Sequence, residues 1–459
     1  MLSFIQDFFK TISPDKTLWV AYSGGMDSHV LLHLMKHASL PHKLRAVHVN
    51  HSLCSAALSW AEHCQRVCHD LMIPLTQIQI DARAPQGESP EDYARFKRYE
   101  ALNALLNPGD ALVTAHHQED QAETFLLQLM RGAGLPGLAG MGAKKKSGAG
   151  YLLRPLLEFS QNTLCVYAQE EKLLWVEDES NQHLNFNRNY VRHRVLPLLK
   201  LRWPSAVTVL SRGASHCAHA QVLLQEVAMA DWVEGSEPDT LSIPALLALS
   251  PLRQINVIRY WLQRKGLLSP TEKQLNEIIK MFLYGRQDAY PVLTLPHCEF
   301  RRFKENLYVF PRSEKTSILG VLYWDGRQVL HLPSVGSLTP YDPAFLSDEV
   351  KFAPARDQLN QKTRFFYSLF IPHENSSELS IRFRVGGERF HPENRIGSHP
   401  LKKLMQEWNI PPWERERVPL LYVNDELACV LGYAVSAKYL SEAGRLGTSL
   451  YFFFERGRS

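Results

Sequence analysis

The chain has 459 residues, enough for two to four domains, and 45% of them are hydrophobic against 21% charged, which excludes wholesale disorder. A net charge of +4, from 51 basic and 47 acidic residues, excludes a globally basic body, so a polyanion would have to meet local patches. No apolar run approaches the ~18 residues a membrane helix needs, and seven cysteines without one CxxC pair argue against a disulfide framework, a zinc ribbon or an iron–sulfur site.

The N-terminal MLSFIQDFFKT carries Asp7 and no basic stretch, so it does not read as a secretory signal. Phe4, Ile5, Phe8 and Phe9 fit one face of a short docking helix. A reduced, cytoplasmic protein is expected. From there to residue 205 strand and helix patterns alternate. TLWVAY (17–22) is a short apolar run, read as a strand, that stops at SGG, and a helical pattern runs from near Asp27 to His37. LRAVHVNHSL (44–53), LTQIQI (75–80) and ALVTAHH (111–117) read as further strands, with helices at 57–71, from Pro90 through Leu105, and at QAETFLLQLM. LLWVEDES (173–180) is expected to close a fifth unit. This alternation predicts an α/β fold, a doubly wound parallel sheet with helices on both faces and a ligand beyond the C-terminal strand ends. Three polar clusters, SGGMDS, HVNHSL and AHHQED, end three of those strands. GAKKKSGAG (142–150) reads as a loop by composition. Residues 206–315 read as mostly helical, 316–370 as a linker of short strand-like stretches, and 371–459 as a compact α+β module with a hairpin at Asn424-Asp425.

The sharpest motif is Ser23-Gly24-Gly25-Met26-Asp27-Ser28, between a strand and a helix. Two glycines let the backbone approach an anion, serines supply hydroxyls, and the helix N-terminus aims free N–H groups at it. The loop lacks the GK[ST] of a Walker ATPase. Asp27 places a carboxylate beside the phosphates, which calls for a cation, ordinarily Mg²⁺. In His116-His117-Gln118-Glu119-Asp120-Gln121-Ala122-Glu123, Asp120 and Glu123 share one helical face, which suits a cationic ligand or a metal; helix-start acids favoured by the dipole show the same pattern. Arg95 and Arg98 lie on one helix with Tyr99. Arg188 and Arg192, four apart, can present two guanidinium forks to phosphate. Lys144, Lys145 and Lys146 could reach a polyanion. So could Arg382, Arg384, Arg389, Lys402, Lys403, Arg415 and Arg417, interleaved with Phe383, Phe390, Trp408 and Trp413, although Phe390 and Trp408 fit a small core better.

SGGMDS resembles the pyrophosphate-binding loop of the N-type ATP pyrophosphatase (PP-loop) superfamily, whose members cleave ATP between the α- and β-phosphates and adenylate a substrate oxygen. HVNHSL, ARFKRYEAL, AHHQEDQAETFLLQLMRGAGLPGLAGM, WVEDESNQHLNFNRNYVRHRVLP and GGERFHP…LKKLMQEWNIPPWERERVPLLY narrow the resemblance to the bacterial tRNA(Ile)-lysidine synthetase family, in its long form with two C-terminal domains. It covers residues 17–205 and 381–435 most strongly. One family motif usually reads HVDHGLR; here His48-Val49-Asn50-His51-Ser52-Leu53-Cys54 lacks the Asp and the Arg.

The resemblance implies a ligase. The 2-oxo group of the wobble cytidine in a CAU anticodon would attack the α-phosphate of ATP, and free lysine would then displace AMP, giving lysidine. It implies ATP and Mg²⁺ as cofactors, tRNA(Ile) and lysine as partners, and no membrane; it leaves a homodimer open. The residues it implicates in ATP binding are Ser23, Gly24, Gly25, Met26, Asp27, Ser28, His48 and Arg188, with Asp27 as the metal ligand. Asp120 and Glu123 would bind lysine and, with Asp27, Arg95 and Arg192, serve catalysis. Lys144, Lys145, Lys146, Arg382, Arg384, Lys402 and Lys403 would contact tRNA. The expected division is a catalytic PP-loop domain at 1–205, a helical domain at 206–315, a linker at 316–370 and an α+β tRNA-binding domain at 371–459. A tRNA thiolase of the same superfamily is the main rival, disfavoured by the missing CxxC. An amidotransferase-type synthetase would leave the C-terminal module unexplained, and a non-catalytic RNA-binding protein would not need an intact SGGMDS loop.

Overall fold

The computed structural model describes the chain except residues 51–56, 82, 86, 88–89, 178–182, 237–238, 287–289, 313–319, 334, 343–363, 373–377, 394, 441–446 and 457–459. The chain divides into two compact units, 1–232 with 249–264, and 233–248 with 265–459. No described helix is long and apolar enough to cross a membrane.

The first unit opens with α1 (Leu2–Phe9), β1 (Thr17–Ala21), α2 (Met26–His37), β2 (Lys43–Asn50), α3 (Ala57–Asp70), β3 (Leu75–Gln79), α4 (Pro90–Asn103), β4 (Ala111–Val113) and α5 (Gln118–Met130). It continues through α6 (Leu135–Leu138), β5 (Lys144–Ser147), β6 (Gly150–Leu153), α7 (Gln161–Glu170), α8 (Asn187–Tyr190), a π-helical turn at Val191–Val195, α9 (Leu196–Arg202) and α10 (Ala206–Asp231). The strands form one sheet in the order β3-β2-β1-β4-β6-β5, parallel except for the edge strand β5. Alternation along β1 divides the core: Leu18 and Val20 join α1, α2 and α7 on one face, while Trp19 joins Leu102, Leu106 and Leu112 on the other. Both faces are therefore covered, as a doubly wound fold requires. Ile5 and Phe9 of α1 are fully buried, as the sequence pattern predicts.

Two expectations change. No strand forms at 173–177, the described part of LLWVEDES; the chain there is irregular, and the Val176 N–H donates to the Gly24 carbonyl at 3.0 Å. The basic loop 142–150 is instead a hairpin, β5 turning at Gly148 (φ +54°) into β6. Its lysines are exposed on the edge strand, where charge discourages further pairing, while Leu152 and Leu153 fill the core. Gly150 has no room for a side chain, because a Cβ would stand 2.2 Å from the Asp110 carbonyl oxygen. His51 to Cys54 and Asp178 to Ser180, parts of two quoted motifs, lie outside the described residues.

The second unit is richer in strands than its sequence suggests. Beside α11 (Ile243–Leu247) and α12 (Glu272–Ile278), the strands β7 (Leu241–Ser242), β8 (Val292–Thr294), β9 (Cys298–Phe303) and β10 (Asn306–Pro311) make an antiparallel sheet within the stretch read as helical. The clearest helical segments there, α10 and Pro251–Arg264, belong to the first unit. The stretch 316–370, expected as a linker, supplies β11 (Leu322–Trp324), β12 (Leu330–Leu332), β13 (Gly336–Pro340) and the start of β14 (Arg364–Pro372). These pair with β15 (Leu379–Arg382) and, further along the chain, with a strand at Gly447–Arg456. Trp324, Leu332 and Leu338 are buried in that shared core, so 316–370 is structural. The rest comprises β16 (Arg389–Phe390), β17 (His399–Pro400), α13 (Leu401–Glu407), β18 (Leu420–Val423), β19 (Glu426–Val430), β20 (Ala434–Val435) and β21, the strand Gly447–Arg456. Asn424 turns the β18–β19 hairpin at φ +57°.

Candidate active site

The loop after β1 is held by its own hydroxyls. Ser23 Oγ lies 3.0 Å from Ser28 Oγ, Ser28 Oγ donates to the Gly25 carbonyl at 2.9 Å, and the Ser23 N–H donates to Ser28 Oγ at 3.2 Å. Gly24 sits at φ +89°, with Val176 and Cys64 about where a Cβ would project (3.0 and 3.1 Å), so only glycine fits without strain. Gly25 precedes the first turn of α2, whose free N–H groups face outward with no side-chain cap. That is a cradle for an anion. His48 lies beneath it: its ring Nδ1 is 3.0 Å from the Tyr22 carbonyl and 3.4 Å from Cys64 Sγ, and burial pushes its pKa down. It therefore supports the loop from below.

Asp27 leaves α2 toward a second group of charges at the start of α5. His117, 2% exposed, caps α5 reciprocally with Asp120: Asp120 Oδ2 accepts the His117 N–H at 3.0 Å. The imidazole then bridges three carboxylates. Its Nδ1 is 3.2 Å from Glu119 Oε2, and its Nε2 is 3.6 Å from Asp27 Oδ2 and 3.5 Å from Asp120 Oδ2. Burial disfavours its charge, but the close Asp27 carboxylate, the hydrogen bond with Glu119 and the Asp120 charge outweigh that and raise its pKa to about 10. Glu119 also accepts the Gln161 N–H at 2.7 Å; burial raises its pKa, yet His117 and that N–H lower it to about 2.

Asp120 and Glu123 do share a face, but they are not an open acidic pocket. Arg188 donates to Glu123 Oε2 and Asp120 Oδ1, both at 2.8 Å. Arg192 donates to Glu123 Oε1 at 2.6 Å, to Glu123 Oε2 at 2.9 Å and to Asp120 Oδ1 at 2.9 Å. Glu123 is fully buried. Burial would raise the pKa of Asp120, but His117 and Arg188 hold it below the usual carboxylate range. The same carboxylates raise both arginines against the pull of desolvation. Arg192 lies on the π-helical turn and Arg188 on the α-helical turn before it.

The donor set has room for a cation at one atom. Asp27 Oδ1 is buried without a hydrogen-bond partner, and the described residues contain no cluster of three or more metal-binding side chains. A single carboxylate beside a phosphate cradle fits Mg²⁺, which keeps water and phosphate oxygens as its other ligands. Cys64 and Cys68, buried behind the loop, are pushed up to about 12 by burial and are poor nucleophiles.

The structure thus brings together the loop, Asp27, Asp120, Glu123, Arg188 and Arg192. Arg95 sits on α4 with its guanidinium 5.2 Å from the Tyr99 ring centre, close enough for its charge to act on His116. Lys144, Lys145 and Lys146 lie on the edge strand β5. In the second unit Lys402 and Lys403 are exposed, Arg382 stacks on Tyr422 and bonds Asp425, and Arg384 faces Glu388 at 3.6 Å. Arg415 is buried and donates to the Ile410 carbonyl, and Phe390 belongs to a core. His117 and Glu119 carry no role from their spacing alone; the His117-x-x-Asp120 capping box was the signal available for the first. Arg154, buried after β6, carries no sequence signal.

Residues 2–199 match the family described as PP-loop domain, 241–308 the TilS substrate binding domain and 379–451 the TilS substrate C-terminal domain. The tRNA(Ile)-lysidine synthase of Coxiella burnetii is 41% identical over 93% of this chain and 91% of its own length. That of Legionella pneumophila strain Paris is 38% identical over 92% of each. Among solved structures, the U34-tRNA thiolase NcsA of Methanococcus maripaludis with its [4Fe-4S] cluster aligns with 46% of this chain and 78% of its own, at 16% identity and a TM-score of 0.39.

Proposed function

Because the chain belongs to the tRNA(Ile)-lysidine synthase family, we propose that it joins free lysine to the 2-carbon of the wobble cytidine of tRNA(Ile) bearing CAU. The cytidine O2 attacks the ATP α-phosphorus, the bond to the β-phosphate oxygen breaks, and pyrophosphate leaves. The lysine ε-amine then adds at C2 and AMP departs with that oxygen, while the amine gives up its protons. The product pairs with A instead of G.

The observation that carries this reading is the contact between Asp27 and His117, which joins the anion cradle of β1 to the acid–arginine cluster of α5. Ser23, Gly24, Gly25, Met26 and Ser28 hold the pyrophosphate end of ATP, with His48 supporting the loop. Mg²⁺ held at Asp27 would supply charge neutralisation on the phosphates. Asp120 and Glu123 take the lysine ammonium, and the geometry sets a condition on this. Both carboxylates already carry two guanidiniums, so an incoming cation has to displace one. Arg192 is the more exposed, 31% against 22% for Arg188. In this reading it turns to the phosphates, vacates Glu123 and Asp120 for the amine, and neutralises charge developing on the α-phosphate. Arg188 stays on the acids and Arg95 faces the same phosphates from α4. The basic residues of β5 and of 371–459 hold the tRNA, as do those of 206–315, and the reaction takes place in the cytoplasm.

Incubation with ATP, Mg²⁺, radiolabelled lysine and tRNA(Ile) bearing CAU tests this. Label should enter the RNA only when ATP is present and position 34 is cytidine. ATP cleavage without label in the tRNA would overturn the assignment of lysine.

A further inference from the structure

Beyond the acid–arginine cluster, three guanidiniums gather without a carboxylate. Arg95 and Arg98 lie 5.2 and 5.7 Å from the centre of the Tyr99 ring. Arg154, which follows β6, lies close enough to Tyr99 and Arg95 for both to act on its charge. Arg154 is 6% exposed; it donates to the Gly142 carbonyl at 2.7 Å, and its Nε is buried with no partner. Among the described residues none of the three forms an ion pair. Desolvation and the neighbouring cations push Arg98 and Arg154 below the usual guanidinium range. Buried like charges without a counterion are costly, and an anion relieves that cost.

Its chemistry is that of a phosphate oxyanion, since forked donors match one bidentately. Position selects the source. Arg154 follows β6, and β6 is two strands from β1 in the sheet, so the main chain at Arg154 stands roughly 10 Å across the sheet from the end of β1 that leads into the Ser23–Ser28 loop. Pyrophosphate held in that loop would not also fill this place. A basic track leads in from the sheet edge: Lys144 pairs in register with Leu153, next to Arg154, and its ammonium lies 4.5 Å from the Tyr151 ring centre. A chain of phosphates fits a track; a small anion has no need of one.

We propose that Arg98 and Arg154, beside Arg95, form a second phosphate subsite that grips a phosphodiester of the bound tRNA strand and steers the target nucleotide toward the ATP loop. The subsite rests on the tRNA reading above, and labelling of tRNA by the wild-type protein reports on that reading separately.

The test titrates tRNA(Ile) against the full chain and against R98Q, R154Q and R154K from low to moderate salt, with ATP and pyrophosphate binding measured alongside. R98Q and R154Q should each weaken tRNA binding about tenfold and flatten the log–log salt slope by roughly 0.7 to 0.9, the value of one phosphate contact. R154K should keep the slope. ATP and pyrophosphate affinities should stay within about twofold of wild type. If R154Q unfolds through loss of its bond to Gly142, R98Q decides, because it removes no described main-chain hydrogen bond. Slopes parallel to wild type would overturn the subsite. So would loss of pyrophosphate affinity with an intact tRNA slope, which would make this a leaving-group site. A wild-type protein that labels no tRNA while the slopes still differ would refute the lysidine reaction and leave the subsite standing.

Discussion

Replacing Glu123 by glutamine changes one buried oxygen to an amide and keeps the shape. Three N–H groups of Arg188 and Arg192 now end on that carboxylate, and the side chain has no exposure to water. The amide can accept at one position only, and at the other its NH₂ faces a guanidinium donor. Two buried cations would then share Asp120 alone. Breaking a buried ion pair from one side costs about 3–5 kcal/mol, which corresponds to roughly two to four orders of magnitude in a local opening constant. Hydrogen exchange of the amides of 188–195 reads that constant directly and avoids a global unfolding curve, which is ill-defined for a chain of two units. Protection there should fall by at least a hundredfold, while the second unit keeps its rates. The KM for lysine should rise tenfold or more, with that for ATP changing far less. Adding R192Q should cost less than the sum of the two single changes, because they break one network. Unchanged protection at 188–195 would refute the claim that Glu123 anchors the two arginines. Unchanged lysine saturation with weakened ATP use would assign the acidic pair to the metal instead.

Asp27→Ala should abolish tRNA-dependent pyrophosphate release while leaving circular dichroism unchanged, because Asp27 Oδ1 has no hydrogen-bond partner and His117 keeps Glu119 and Asp120 when its 3.6 Å contact with Asp27 is lost; near-wild-type release would remove Asp27 from the mechanism. Glu119 is held at about 2 in the folded protein against 4.5 as reference, so its contribution to stability is present above about pH 4.5 and is lost as pH falls toward 2. In Glu119→Gln that acid-side loss should be smaller, read as the urea midpoint of the first unit against pH; an identical profile would exclude Glu119 as its source. A chain cut after residue 370 should aggregate, because it strands β11, β12 and β13 without β15 and β21 and exposes Trp324, Leu332 and Leu338. A chain ending at 264 keeps the first unit whole and should bind ATP normally, with weaker tRNA binding and a flatter salt slope, both measured by titration.

The N-terminal half was legible because its signals are local. Strand and helix periods differ, SGGMDS falls at a strand-to-helix junction, and a parallel sheet must bring the ends of β1 and β4 to one edge. The loop, Asp27 and the acid pair could therefore be named from spacing and resemblance. The second unit was harder to read. Its strands are two to ten residues long and find their partners far along the chain, as β13 does with β21, so 316–370 passed for a linker. The lysines of 144–146 passed for a loop because composition does not register that an edge strand welcomes charge.

The site shows the same division. Sequence supplied the residue types: two carboxylates on α5, two arginines four apart, an aspartate beside a glycine loop. It could not say that the arginines would satisfy the carboxylates, because that pairing spans more than sixty residues. Nor could it single out His117 as the bridge between Asp27, Glu119 and Asp120, or Arg154 as a buried cation with no ion pair among the described residues. Charge at a position is written in the sequence. Whether that charge is solvated, paired or left uncompensated depends on which groups from distant parts of the chain share the same low-dielectric space, and only folding decides that.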